Sequence, residues 1–300
     1  MAPLAANGPK WPGTLLYVPV LYGLGWLGAR PCALLFPHWR PDQVDLAGLV
    51  LSLALLLISL PIRLRRVWGA EHPWQGLGLA MPIHLAAKAW LRGALKGLFL
   101  LALVVLVLVL AGQARWLGEL NTALLLNAIA LMLGVGFAEE LLFRGWLWGE
   151  LELELGPNRA LWLQAAIFAL LHPWYRAPGL EAIGLLGGLT LLGLALALQR
   201  RADDGALWGS IGLHGWLVGG WFLAQKGLLQ ISPAAPGWWV GPGGADINPI
   251  GGLIGWIGLG LLLWVRRRWW PRHLSQKPET AELSLVISED NNGPGANPPT

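Results

Sequence analysis

The chain returns again and again to apolar runs long enough to cross a lipid bilayer. Eight are read from the sequence, at about 14–36, 44–62, 93–113, 120–148, 158–175, 180–199, 207–224 and 249–265. A bilayer offers no water to backbone N–H and C=O groups, so a spanning segment must satisfy them within itself, and an apolar run of about 20 residues does so as a helix. Composition agrees: 55% of the 300 residues are hydrophobic and 13% charged, with a mean hydropathy of +0.54. The 20 tryptophans suit anchoring at membrane–water interfaces and helix packing. The expected fold class is all-α, a polytopic transmembrane helix bundle of about eight spans. The first run is the weakest, because Pro19 and Pro31 interrupt it.

Positive charge orients such a bundle. Arg63, Arg65 and Arg66 follow the second run, Lys88, Arg92 and Lys96 precede the third, Arg200 and Arg201 follow the sixth, and Arg266, Arg267 and Arg268 follow the eighth. With eight spans and a cytoplasmic amino terminus, all four clusters fall on the cytoplasmic side, as the positive-inside rule requires. The expected localisation is a multi-pass integral membrane protein with both termini cytoplasmic. Arg30, Arg40 and Arg115 fall on the other side in this map. Four regions are expected: amino-terminal spans and an interfacial segment (1–92), a core (93–225), an extracytoplasmic loop with the last span (226–268), and a disordered cytoplasmic tail (269–300), the last rich in Pro and Asn. No signal peptide is read at the amino end. Cys32 is the single cysteine, which excludes an intramolecular disulfide and a cysteine metal cluster.

Against this background the stretch GFAEELLFRGW, residues 136–146, stands out. Glu140 and Arg144 are four apart with the acid first, the favourable order for a helical ion pair. Glu139 is rotated about 100° from Glu140 and points elsewhere. An unpaired carboxylate at membrane depth is costly and marks a functional site by default. His172 lies 16 residues after Gly156 and Glu139 lies 17 before it. If the chain turns at Gly156-Pro157, two antiparallel helices bring them to equal depth. His214, in GLHGWLV, arrives from the seventh run. Taken alone, either histidine is as well read as a helix–helix hydrogen-bonding group, and the Glu140–Arg144 pair as a structural brace.

At these residues the chain resembles the CAAX protease and bacteriocin-processing family of intramembrane proteases, the Abi-type family that includes type II CAAX prenyl endopeptidases. EELLFRG matches its EExxxR motif, Phe168 to His172 (FALLH) matches FxxxH, and GLHGWLV occupies the place of a third motif, a His followed four residues later by Asn or Asp. The resemblance covers about residues 90–225. It implies a catalytic set of Glu139, His172 and His214, in which Glu139 and His172 activate a water for attack on a peptide carbonyl and His214 supports the oxyanion. Glu140, Arg144 and Phe168 are implied as supporting residues. The departure is Val218, which stands where the family has Asn or Asp and has no hydrogen-bond donor; one such donor is worth roughly 10²–10³ in rate. Ser210, one turn before His214, is a candidate replacement.

The expectation is therefore an intramembrane, CAAX-type, metalloendopeptidase-like enzyme with its site in a cavity open to the cytoplasm. Its partners would be a peptide or membrane-protein substrate and the lipid bilayer, with no nucleic acid. A metal-free, glutamate-based site with no cofactor is preferred, because EExxxR lacks the HExxH spacing; if zinc is used, its ligands would be Glu139, His172 and His214. The alternatives are a non-proteolytic scaffold or bacteriocin-immunity-type protein with a degenerate site, and a transporter with Glu139 as proton relay. Against the transporter, no internal repeat is visible.

Overall fold

The structure is a computed structural model that describes residues 8–243 and 247–270. The first two helices, α1 (Trp11–Leu35) and α2 (Pro41–Val67), form an antiparallel hairpin. Tyr17 meets Ser59 at 2.8 Å, and Gly25 lies against Gly48. Pro19 and Pro31 sit inside α1 without ending it, so the expected weakness of the first run is not realised as a break. A short α3 (Pro73–Gly76) leads into α4 (Ile83–Leu110), then β1 (Ala114–Trp116). The central run begins with α5 (Thr122–Ala130), capped by the Asn121 side chain accepting from the Leu124 N–H. It continues through a π-helical segment (Leu131–Val135), α6 (Gly136–Glu140), a second π-helical segment (Leu141–Leu147) and α7 (Trp148–Leu170). Then come α8 (Gly179–Ala202), α9 (Trp208–Leu223), a third π-helical segment (Ala224–Leu228), β2 (Leu229–Ile231), α10 (Gly237–Val240) and α11 (Leu253–Val265).

Five helical runs among the described residues are long and apolar enough to cross a membrane: Trp11–Leu35, Pro41–Val67, Ile83–Leu110, Thr122–Leu170 and Gly179–Ala202. The expected fourth and fifth spans fall within one run, Thr122–Leu170, which turns at Gly156. Gly156 has φ 77° and ψ 167°, a left-handed backbone that glycine adopts freely. Pro157 follows, starting the next helix with its φ preset. The expected seventh and eighth spans correspond to shorter helices, α9 with 16 residues and α11 with 13. The fifth is also shorter than expected. It ends at Leu170, so His172 lies just past the helix rather than on it, with Pro173 closing off any continuation.

The fold is not wholly helical. β1 and β2 pair antiparallel, with Arg115 opposite Gln230 and their side chains joined at 2.8 Å. Two loop stretches leaving α4 and α9 on the same side satisfy their backbone groups on each other. Beyond them, Trp239 packs against Val104, Leu108, Val240, Ile247 and Ile254, so one half of the Trp238–Trp239 pair covers the bundle while Trp238 stays exposed. The tail expected at 269–300 lies outside the described residues from 271 onward.

All four basic clusters meet at one end of the bundle. Arg63 pairs with Glu150 at 2.6 Å, Arg92 with Asp203 at 2.7 Å, Arg266 reaches Gln199 at 2.9 Å, and Arg201 donates to the carbonyls of Pro157 and Trp270. On the flanks, α1 and α2 present apolar faces outward, with Leu15, Leu16, Leu46 and Ile58 exposed. Apolar surface on that scale needs a cover, and lipid supplies it.

Candidate active site

Two crossings assemble the polar centre. Gly136 on α6 faces Gly215 on α9 so closely that a Cβ built on Gly136 would lie 2.8 Å from the Gly215 Cα. That approach, open only to residues without side chains, brings Glu139 and Glu140 from the central run against His214 from α9. The turn at Gly156 then returns α7 so that Phe168 and His172 face the same point. The π-helical segments before and after Gly136–Glu140 fit the same purpose, since π-turns re-aim side chains within a helical run and recur at functional sites.

Glu140 and Arg144 form the expected i, i+4 pair at 2.8 Å, both fully buried. Glu140 Oε1 also meets His214 Nδ1 at 2.8 Å, a contact the sequence reading did not contain. The Arg144 guanidinium lies over the Phe168 ring, 4.2 Å from its centroid. Its Nε and Nη2 have no protein acceptor, so the aromatic face is its second support. Arg200 donates to the Arg144 carbonyl.

Glu139 is the odd carboxylate. Its Oε2 has no hydrogen bond, yet it faces two imidazoles: His172 Nε2 at 3.5 Å and His214 Nε2 at 3.8 Å. The side chains of Glu139 and His172 remain 28% and 25% exposed, whereas that of His214 is 3% exposed, so the centre is reached from the Glu139–His172 side. His172 Nδ1 is 2.7 Å from the Phe168 carbonyl, and the Phe168 ring lies tilted against that of His172, with centroids 4.3 Å apart. Phe168 thus serves Arg144 with its ring face and His172 with its backbone.

All six residues named from the sequence converge here. The two candidate oxyanion partners do not. Ser210 is buried with its hydroxyl donating to the Leu196 carbonyl at 3.0 Å, so it is engaged within the bundle and unavailable as the replacement donor. Val218 lines an apolar cavity of about 320 Å³, together with Leu100, Val104, Leu192 and Leu259, and none of Glu139, His172 or His214 is among that cavity's walls. Among the described residues no group of three or more His, Cys, Asp or Glu side chains has the arrangement of a metal site.

Residues 121–218 match the family model described as type II CAAX prenyl endopeptidase Rce1-like, in line with the resemblance carried by the three motifs. The match opens at Asn121, the cap of α5, and closes at Val218, so it contains every residue of the centre. Residues 2–72, which include α1 and α2, match a domain of unknown function, DUF8676. No curated protein and no solved structure matches the chain.

Proposed function

We propose that the chain, an integral membrane protein carrying an Rce1-like segment, is an intramembrane endopeptidase that hydrolyses a peptide bond with water activated by Glu139 and His172, in a site entered from the cytoplasm. The observation that carries the reading is the unbonded Glu139 Oε2 between two imidazole Nε2 atoms. A carbonyl can only accept, so His172 keeps its proton on Nδ1, facing Phe168. Glu140 is already held as an anion by Arg144, so His214 likewise keeps its proton on Nδ1. In their neutral form both rings turn an acceptor nitrogen towards the Glu139 carboxylate.

Three acceptors facing one another form a receptor for protons, and a water entering there has two to give. Glu139 takes one as general base while the oxygen attacks the carbonyl carbon. His172, on the exposed side, takes that proton from Glu139 at Nε2 and passes it to the leaving amine as the tetrahedral adduct collapses. Proton transfer of this kind contributes about 10²–10⁴ in rate. His214 is held rigidly by Glu140, and its Nε2 accepts the water's other hydrogen, which orients the oxygen for attack. The four basic clusters gathered at one end support the orientation with that end in the cytoplasm.

The test is cleavage of a peptide library by purified protein reconstituted in bilayers, beside Glu139→Ala. Cleavage products from the unaltered chain that vanish in the variant support the reading. No cleavage by the unaltered protein on any peptide class would favour a non-proteolytic scaffold.

A further inference from the structure

The basic end of the bundle holds an unbalanced cluster of charge. Lys96 on α4 donates to Gln199 Oε1 at 2.7 Å, and Arg266, just past α11, donates to the same oxygen at 2.9 Å. Two cations share one neutral acceptor. The Gln199 amide nitrogen is turned away and donates to Asp203 at 2.5 Å, and Asp203 is also paired with Arg92 at 2.7 Å. The charged groups acting on Lys96 and Arg266 are Arg92, Arg268 and Asp203. Among the described residues, then, one carboxylate faces four cations. Gln199 is 2% exposed and Lys96 is half-buried. Like charges gathered on a buried amide repel one another unless an anion joins them.

The same three helices line the apolar cavity of about 320 Å³, a size typical of small-molecule sites. Its walls include Leu100 and Val104 from α4, Leu192 from α8, and Gly258 and Leu259 from α11. Leu100 is one turn beyond Lys96, Leu192 is seven residues from Gln199, and Leu259 is seven from Arg266. At 1.5 Å per residue the cavity begins about 6–10 Å deeper than the cations and runs on to Trp221, Gln225 and Ile250. A cationic mouth above an apolar chamber matches an amphiphile with an anionic head.

We propose that α4, α8 and α11 bind one anionic phospholipid, with its phosphate at Lys96, Arg266 and Arg92 and an acyl chain in the cavity below. The phosphate oxygens take up the N–H donors of Lys96 and Arg266 that Gln199 leaves over, as charge-assisted hydrogen bonds, while the chain fills apolar space. A lipid in this place would wedge α11 against α4 and α8. It shares no residue with the Glu139 centre, so it stands whether or not the chain is a peptidase.

The experiment is lipid retention by the purified, delipidated full chain, read by native mass spectrometry with phosphatidylglycerol and phosphatidylcholine of the same chains. Phosphatidylglycerol should bind about tenfold or more tightly than phosphatidylcholine, from two to three interfacial cations. Lys96→Gln with Arg266→Gln should bring the two lipids to parity, whereas Lys96→Arg with Arg266→Lys should keep the preference. Val104→Phe, which narrows the chamber, should weaken both lipids. On the unaltered protein, raising salt to about 1 M should erode the headgroup preference by screening, a readout independent of how the variants fold. Equal binding of the two lipids by the unaltered chain would overturn the proposal. So would a preference that survives loss of both charges, or inorganic phosphate displacing the lipid at equal concentration, which would make the ligand a free anion.

Discussion

Two glutamates eleven residues apart on one helical run, Glu150 buried and Glu139 partly exposed, are treated in opposite ways. Glu150 is saturated. It accepts from Arg63 through Nε and Nη2 at 2.6 and 2.7 Å, from Thr14 at 2.5 Å and from Trp146 at 2.7 Å. It ties the α1–α2 hairpin to the central run. Glu139 makes no such bonds at Oε2, which is left facing two ring nitrogens. A carboxylate whose oxygens are all occupied is held as an anion and has nothing to offer a reaction. One left open at membrane depth costs stability and is free to move a proton. Saturation as well as burial separates the brace from the group proposed to react.

The sharpest way to break that contrast lies between the two, at Glu140. Glu140→Gln leaves Arg144 buried beside a neutral amide and removes the anion that fixes His214. Breaking a buried pair of this kind costs about 3–5 kcal/mol, so thermal or denaturant unfolding should show a large loss. An unchanged melting temperature would place Glu140 with Glu139 instead. A smaller effect is expected at Trp146, whose indole donates to a charged acceptor. Trp146→Phe should cost about 1.5–3 kcal/mol while the turnover of the folded fraction stays the same. The smallest is expected at Val218. Because its side chain faces the apolar cavity, Val218→Asn should raise turnover by less than the roughly 10²–10³ that a well-placed oxyanion donor gives. A gain of that full size would show that the position does reach the reacting carbonyl.

Much of this was legible in the sequence. The helical class followed from the length of the apolar runs, because lipid leaves the backbone few options. The Glu140–Arg144 pair followed from spacing alone, and the meeting of Glu139 with His172 from equal distances to Gly156. What escaped was set by tertiary contacts between residues far apart in the chain. Nothing local to His214 says that its Nδ1 binds Glu140, 74 residues away. Nothing local to Glu150 says that Thr14 and Arg63 close around it. Helical periodicity places Ser210 one turn from His214 but does not reveal the Leu196 carbonyl that engages it. The β1–β2 pairing also went unseen, since three-residue strands carry too little pattern to register.

The most direct measurement sets Glu139→Gln beside Glu150→Gln and records, for each, unfolding stability and peptide turnover per folded molecule in the same bilayer. The account predicts a crossed result. Glu139→Gln should melt close to the unaltered protein and lose about 10²–10⁴ in turnover. Glu150→Gln should lose about 3–5 kcal/mol of stability, because Arg63 is left with an amide, while its folded fraction still cleaves. If both variants lose stability and activity together, or if Glu139→Gln cleaves as well as the unaltered chain, the division between the open and the saturated carboxylate is wrong.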